Sequence, residues 1–154
     1  MPNTVNAEER PVILILNGPN LNMLGMREPS IYGADTLGDI EAACGERAEA
    51  LGLAIDFRQS NYEGELIDWV HETAAQHDGI VINAGGLSHT SISLMDALRM
   101  CDLPIIEVHL SNIYAREPFR HHSYISQVAG GVICGLGAQG YLLALEAMAK
   151  LIDA

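Results

Sequence analysis

Short runs of consecutive apolar residues alternate along this chain with longer segments whose apolar residues recur at helical spacing. A strand that is apolar at every position is buried on both faces, which is typical of parallel sheets. Alternation of such strands with helices implies right-handed crossovers and a sheet covered on both sides. The predicted strands are residues 11–16, 53–57, 79–83, 104–109 and 128–134, and the predicted helices are residues 37–51, 61–74, 90–100 and 138–152.

These elements predict an α/β protein with a flavodoxin-like three-layer fold. Its five-stranded parallel sheet is expected to have the strand order 2-1-3-4-5. At 154 residues the chain is expected to form a single domain, residues 1–154, in which residues 1–10 are a polar N-terminal extension.

Local signals support two of the helix starts. Thr36 with Asp39, and Ser60 with Glu63, have the spacing of a capping box. In that motif the side chain of each residue accepts a hydrogen bond from the backbone N–H of the other. The second helix is predicted to bury one apolar face, formed by Leu66, Ile67, Val70 and Ala74.

The charge balance limits the partners of the protein. A formal charge of -12 argues against nucleic acid and against an anionic membrane surface. Arg27, Arg116 and Arg120 nevertheless fall within polar segments that carry the candidate site. They indicate a small anionic ligand held by short-range contacts, with ordinary surface ion pairs as the alternative.

Cysteine usage and hydropathy indicate the compartment. Cys44, Cys101 and Cys134 are odd in number, lack CxxC spacing and have apolar neighbours, so we expect buried free thiols. Residues 1–10 lack the apolar core of a signal peptide, and no run of about eighteen apolar residues predicts a membrane span. A cytoplasmic location is therefore expected.

Three polar segments follow predicted strands at their carboxyl ends. They are residues 17–20, 83–89 and 107–112. In an open parallel sheet, ligands bind outside the carboxyl ends of the strands, where the strand order switches. The sequence therefore predicts one site to which all three segments contribute.

Two glycine-containing motifs have simpler interpretations. Gly135, Gly137 and Gly140 match G-x-G-x-x-G, but only fourteen residues follow, so close strand–helix packing is favoured over dinucleotide binding. Residues 17–20 lack the ending of a phosphate loop, and taken alone they could form an ordinary turn. The long connection of residues 21–32 is typical of a lid.

Tyr32 and Arg27 lie on that connection and form a candidate base. A tyrosine has a pKa of about 10, and a nearby cation lowers it by roughly one to three units. The alternative is a half-exposed loop tyrosine with no role in chemistry.

His109 is the strongest candidate among the six histidines. Glu107 lies two residues earlier on the same predicted strand, so both side chains share one face and the carboxylate can orient the imidazole. His89 also follows a strand, whereas His71 and His77 are expected at the surface. The sequence contains neither HExxH nor a cysteine–histidine cluster, so no metal site is expected, and without a G-x-S-x-G elbow Ser111 does not indicate a hydrolase.

Together these segments resemble type II 3-dehydroquinate dehydratases. The matching stretches run in family order over nearly the whole chain: LNGPNLNMLGMREPSIYG (16–33), QSNYEGELIDW (59–69), INAGGLSHTS (82–91), IEVHLSNIYAREPFRHHSYIS (106–126) and GLGAQGYLLAL (135–145). The type I enzyme of the same name uses a lysine Schiff base on a different fold. The chain has a single lysine, Lys150, close to its end, which agrees with the lysine-free type.

The resemblance implies a role for each matching catalytic residue. Tyr32 would remove a proton alpha to the substrate ketone, and Arg27 would lower its pKa. Asn20 would hold the water that stabilises the enolate oxygen. His109, oriented by Glu107, would protonate the departing hydroxyl. The reaction would be an anti elimination of water that needs neither cofactor nor metal.

The resemblance also implies how the substrate is bound. The backbone N–H groups of Leu110 and Ser111 would bind the carboxylate, and the ring hydroxyls would contact Asn83, His89 and Arg120. Asp96 would reach the site of a neighbouring subunit, because family members assemble as dodecamers built from trimers. Arg116 matches a second arginine on or near the lid, without a specific role.

Two functions of other classes remain as alternatives. A non-catalytic module that binds small anions would keep the pocket without turnover. A flavin-binding electron carrier would share the fold, but the chain has one tryptophan and lacks a Ser/Thr-rich phosphate loop. The sequence does not distinguish a biosynthetic role from quinate breakdown.

Overall fold

The computed structural model describes residues 9–26, 30 and 34–153. Its centre is a parallel sheet of five strands in the order β2-β1-β3-β4-β5, so the predicted α/β fold and strand order are confirmed. The strands are β1 (Val12–Asn17), β2 (Ala54–Gln59), β3 (Gly79–Asn83), β4 (Ile105–His109) and β5 (Gly131–Cys134).

Helices cover both faces of the sheet. They are α1 (Leu37–Ala50), α2 (Glu63–Gln76), α3 (Ile92–Arg99) and α4 (Gln139–Asp153). Ile13 and Ile15 of β1 pack in one core cluster with α1 and α4, and Leu14 and Leu16 pack in a second cluster with α2 and α3. Alternation of side chains along a strand explains this division, and it also explains why β1 must be apolar at successive positions.

The capping-box prediction is confirmed at one helix and wrong at the other. At α1, Thr36 Oγ1 accepts from the Asp39 N–H and the Asp39 carboxylate accepts from the Thr36 N–H. At α2 the N-cap is Tyr62, and its side chain makes no capping bond. Ser60 Oγ instead accepts from the Tyr62 N–H at 3.0 Å, because the helix begins too late for Ser60 to be its cap.

Two further predictions are wrong, and in both cases a polar side chain is buried where it was not expected. Ala74 is exposed and Thr73 is buried in its place, where the Thr73 hydroxyl is satisfied by donating to the Trp69 carbonyl at 3.0 Å. His77 is buried rather than at the surface, since its Nε2 lies 2.9 Å from Asp56 Oδ2. His71 is exposed, as predicted.

Three smaller differences concern β5 and the cysteines. β5 begins at Gly131 rather than at residue 128, because residues 125–127 form a 3-10 turn before it. Cys44 is buried, but Cys101 and Cys134 are only half-buried. Among the described residues, no helix is both long and apolar enough to cross a membrane.

Candidate active site

A cleft of about 200 Å³ opens at the carboxyl edge of the sheet. Residues from the ends of β1, β3 and β4 meet there, as the three polar segments predicted. The lining residues are Pro19, Asn20, Leu21, Asn83, Gly85, Gly86, His89, His109, Leu110, Ser111, Ile113, Arg116 and Arg120.

The cleft contains eight residues that the sequence singled out: Asn20, Asn83, His89, His109, Leu110, Ser111, Arg116 and Arg120. Glu107 lies behind it and is fully buried. Asp96 is exposed on α3 and does not line the cleft. Arg27 and Tyr32 fall outside the residues that the structure describes.

The loop after β1 forms one wall of the cleft. The Gly18 N–H donates to the Asn83 carbonyl at 2.8 Å, and a Cβ added at Gly18 would lie 2.3 Å from the Ala84 carbonyl oxygen. Only glycine allows the two loops to approach so closely. Asn20 follows with φ 71°, and its N–H donates to Asn61 Oδ1 at 2.9 Å, so this loop is held from both sides.

His109 and Glu107 form the buried pair that their spacing predicted. The imidazole Nε2 is hydrogen-bonded to Glu107 Oε2. Ser123 Oγ donates to the same oxygen at 2.7 Å, and Ser126 Oγ donates to Oε1 at 2.5 Å. Because Nε2 is committed to the carboxylate, Nδ1 is the nitrogen of His109 that a ligand in the cleft can contact.

The surroundings of Glu107 keep it ionised. Burial raises the pKa of the carboxyl, but hydrogen bonds from His109, Ser126 and Ser123, together with the charge of His109, outweigh burial and lower that pKa overall. An ionised carboxylate stabilises a protonated imidazole beside it. The pair can therefore hold a proton for transfer into the cleft.

His89 has the opposite arrangement. Its Nδ1 donates to the His122 carbonyl at 2.8 Å, so Nε2 is the nitrogen left for a ligand. Burial, followed by the nearby charges of His109 and Arg120, lowers the pKa of His89 even though the His122 carbonyl opposes this. The ring stacks on that of His109 with centroids 6.3 Å apart. A neutral His89 can accept a hydrogen bond at Nε2 from a ligand hydroxyl.

Two arginines give the cleft a cationic side. Arg116 Nη1 donates to Ser111 Oγ at 3.2 Å, and Arg120 Nε donates to Glu117 Oε2 at 2.7 Å. Both arginines also form ion pairs with Glu117. Each of the two arginines therefore pairs with a carboxylate, as the surface ion-pair interpretation expects, and also lines the cleft.

Sequence reasoning missed the residues that support the site from distant parts of the chain. Ser123 and Ser126 contact Glu107 from the segment before β5, and Tyr141 contacts Asn83 from α4. Both serines lie within one of the matching stretches, but nothing in their local pattern indicates that they face a carboxylate.

Neither a metal cluster nor the lysine is part of the cleft. Within the described part of the chain, no group of three or more His, Cys, Asp or Glu side chains could hold a metal ion. Lys150 is exposed near the end of α4. The helix has passed the start of β3 by Met148, which lies against Gly79, so Lys150 is at the opposite edge of the sheet from the cleft.

Comparisons with known proteins agree with this geometry. The family model described as "Dehydroquinase class II" matches residues 11–149. The chain is 60% identical over 143 residues to the 3-dehydroquinate dehydratase of Streptomyces coelicolor, covering 92% of this chain and 91% of that protein. It is 57% identical over 144 residues to 3-dehydroquinate dehydratase 2 of Pseudomonas putida, covering 94% and 97%.

Solved structures give the same result. The type II dehydroquinase from Propionibacterium acnes superposes with a TM-score of 0.87 at 47% identity, covering 90% of this chain and 96% of that one. The type II dehydroquinase from Butyrivibrio crossotus has a TM-score of 0.88 at 38% identity, covering 94% and 99%. The chain therefore belongs to the class II dehydroquinase family.

Proposed function

We propose that this protein is a type II 3-dehydroquinate dehydratase, a lyase that removes water from 3-dehydroquinate to give 3-dehydroshikimate. The step belongs to the shikimate pathway of aromatic amino acid biosynthesis and is shared with quinate breakdown. The observation that carries the proposal is the buried His109–Glu107 pair, whose imidazole faces a small cleft with two arginines on its wall. The similarity to named dehydratases over most of the chain supports it.

The first half of the reaction is removal of a proton alpha to the ketone. Tyr32 is the proposed base, and Arg27 is the proposed cation that makes its phenolate accessible at neutral pH. The electrons of the broken C–H bond pass to the ketone oxygen and give an enolate. A water held by Asn20 would donate to that oxygen and stabilise its charge.

The second half is loss of the hydroxyl. As the enolate reforms the ketone, the C–O bond breaks and His109 delivers a proton to the departing oxygen through Nδ1. Glu107 stabilises the imidazolium before this transfer, since its carboxylate bonds to the other ring nitrogen. Base and acid act on opposite faces of the ring, which makes the elimination anti.

The remaining lining residues would bind the substrate. The backbone N–H groups of Leu110 and Ser111 are the proposed site for the carboxylate, at the end of β4 and beside Arg116. Asn83, His89 and Arg120 would contact the ring hydroxyls. The proposed mechanism uses no cofactor, no metal ion and no lysine imine.

Assembly and location complete the proposal. Residues 1–154 would form one catalytic domain with residues 1–10 as a polar extension, and the protein would act in the cytoplasm. We expect a homododecamer built as a tetramer of trimers, in which Asp96 of one subunit reaches the cleft of the next. The exposed position of Asp96 on α3, away from the cleft of its own chain, agrees with such a role.

A direct assay tests the function. The purified protein is mixed with 3-dehydroquinate in a chelator, and ultraviolet absorbance of the conjugated enone is followed. Rising absorbance is the expected result. A flat trace from an intact protein that still binds the substrate would reject the enzyme in favour of a non-catalytic small-anion binding module.

A further inference from the structure

A chain of buried hydrogen bonds crosses the top of the sheet behind the cleft. Asn17 ends β1 and Asn83 ends β3, and the two residues are direct partners in the register of these strands. Partners in register project their side chains to the same face. On that face Tyr141, in the first turn of α4, places its hydroxyl between the two amides. Asn17 and Tyr141 are fully buried, and Asn83 is nearly so.

Backbone groups at the two ends give this chain a single direction. Asn17 Nδ2 donates to the Arg58 carbonyl at 3.0 Å, and since a carbonyl can only accept, Asn17 Oδ1 must face Tyr141. The Gly85 N–H, which can only donate, lies 3.2 Å from Asn83 Oδ1, so Asn83 Nδ2 must face Tyr141. The Tyr141 hydroxyl therefore donates to Asn17 at 2.7 Å and accepts from Asn83 at 2.9 Å.

This arrangement determines what Asn83 can offer to a ligand. Reversing its amide would set the NH₂ group against the Gly85 N–H, two donors facing each other. It would also set Oδ1 against the Tyr141 hydroxyl, whose proton is already donated to Asn17, so that two acceptors would face each other. Burial raises the pKa of Tyr141, so the phenol remains protonated and the direction of the chain is kept across the physiological range. Asn83 thus keeps one amide proton for an oxygen atom in the cleft that it lines.

We propose that Tyr141 and Asn17 are positioning residues, which hold the Asn83 amide so that it donates a hydrogen bond to a ring oxygen of the substrate. The inference rests on the proposed function and deepens it, because it concerns substrate recognition in the same cleft. Neither residue touches the substrate. Their effect is transmitted through the orientation of one amide.

A double-mutant cycle tests the proposal. Tyr141→Phe, Asn83→Ala and the double variant are compared with the parent in kcat/KM for 3-dehydroquinate, at a temperature where circular dichroism shows each to be folded. Loss of one neutral hydrogen bond predicts that Tyr141→Phe lowers kcat/KM about fivefold to twentyfold, mainly through KM. In the Asn83→Ala background the same change should have less than about a twofold effect, because the amide it orients is absent.

The control is Thr73→Val, which removes another buried hydroxyl, on α2, the helix that packs on the opposite face of the sheet from α4. It should lower the melting temperature yet leave kcat/KM unchanged. A tyrosine with a purely structural role would behave like this control, so Tyr141→Phe with parental kcat/KM would overturn the proposal. The proposal would also be overturned if the loss of kcat/KM in the double variant equalled the product of the losses in the two single variants.

A second variant covers the case in which Tyr141→Phe does not fold. Asn17→Ala removes the acceptor of the hydroxyl proton, so Tyr141 can turn that proton toward Asn83. Asn17→Ala should lower kcat/KM as much as Tyr141→Phe does. Like Tyr141→Phe, it should have little further effect in the Asn83→Ala background. A parent protein without turnover would refute the proposed function and this role with it, whereas an active parent with unaffected Tyr141 and Asn17 variants would refute the positioning role alone.

Discussion

At the scale of single residues, the two cleft histidines differ in which ring nitrogen is hydrogen-bonded within the protein, and this difference suits them to different roles. His109 uses Nε2 on a buried carboxylate and leaves Nδ1, whereas His89 uses Nδ1 on the His122 carbonyl and leaves Nε2. The carboxylate of Glu107 is hydrogen-bonded to the ring of His109, and burial lowers the pKa of His89. Two stacked imidazoles can therefore serve as a proton donor and as a neutral hydrogen-bond acceptor in one cleft.

The proposed base gives a prediction for Tyr32. Tyr32→Phe should lower kcat by about 10² to 10⁴-fold, the range typical of general acid–base catalysis, while the ligand still binds. Turnover by ultraviolet absorbance and substrate affinity by calorimetry measure the two effects. Tyr62→Phe changes an exposed tyrosine away from the cleft and should match the parent. Near-parental turnover of Tyr32→Phe would show that another group removes the proton.

Glu107 gives a prediction about stability and pH. Its folded-state pKa is lowered from 4.5, so the ionised carboxylate contributes stability that is complete above that value and is lost as pH falls through the folded pKa. The free energy of unfolding of the parent should therefore decline more steeply below about pH 4.5 than that of Glu107→Gln. Urea unfolding at a series of pH values measures both slopes. Parallel slopes would mean that the pKa of Glu107 is not lower in the folded protein than in the unfolded chain.

At the scale of elements, the close approach of the loops after β1 and β3 shapes the cleft. Gly18 lies against the Ala84 carbonyl, and its N–H bonds to the Asn83 carbonyl. Asn20 lies on the first of these loops and Asn83 is the last residue of β3, and both line the cleft. The spacing between the loops therefore determines the distance between residues proposed to contact the enolate water and the ring.

The same substitution at two glycines should have opposite effects. Gly18→Ala puts a methyl group 2.3 Å from a backbone oxygen that cannot move freely, so it should destabilise the fold by about 1–3 kcal/mol and lower kcat/KM. Gly45→Ala, in α1 with open space around it, should stabilise the fold by about 0.5–1 kcal/mol and leave kcat/KM unchanged. Denaturant unfolding and the absorbance assay provide the comparison. A Gly18→Ala protein as stable and active as the parent would contradict the role of this contact.

At the scale of the whole molecule, two charged residues lie away from the cleft for different reasons. Asp96 is exposed on α3, where another subunit could meet it. Lys150 is near the end of α4, nine residues after Tyr141, which corresponds to about 14 Å along the helix axis. The first position agrees with a site completed by a neighbour, and the second keeps the only lysine of the sequence away from the cleft of its own chain.

Mixed oligomers test the proposed contribution of Asp96. Asp96→Ala and Tyr32→Phe should each be nearly inactive alone. If Asp96 acts on a neighbouring cleft, oligomers reassembled from both variants should recover part of the activity, because some clefts combine an intact Tyr32 with an intact Asp96. Light scattering gives the assembly state of each preparation. Recovery no greater than the sum of the separate variants would show that Asp96 does not act on a neighbouring cleft.

The lysine-free mechanism predicts that Lys150→Arg keeps parental kcat/KM. Borohydride added with substrate should not inactivate the parent, since no imine forms for it to reduce. Mass spectrometry of the treated protein checks for an adduct. A reduced substrate adduct on Lys150 would reject the mechanism.

Local patterns predicted the framework because each depends on neighbours in the chain. Mainly apolar runs predicted all five strands. The run is continuous in β1, which is buried at five of its six positions, whereas Asp56 interrupts β2 and Glu107 interrupts β4. The Thr36–Asp39 box was confirmed because both of its bonds close within one turn. Ser60 has the same spacing from Glu63, yet α2 begins too late for Ser60 to cap it, which the spacing alone did not indicate.

The sequence by itself determined the α/β architecture, the edge of the sheet where the site lies, and the His109–Glu107 pair, since a spacing of two on a strand places both side chains on one face. Only the tertiary structure revealed what surrounds these groups. Ser126 reaches Glu107 across nineteen positions, and Tyr141 reaches Asn17 across 124. The periodicities of strands and helices extend over a few residues, so they contain no information about bonds between distant positions. Such bonds form when the helices pack on the sheet and bring distant polar groups together. Burial then favours a hydrogen-bond partner for each group, because an unpaired buried polar group is costly.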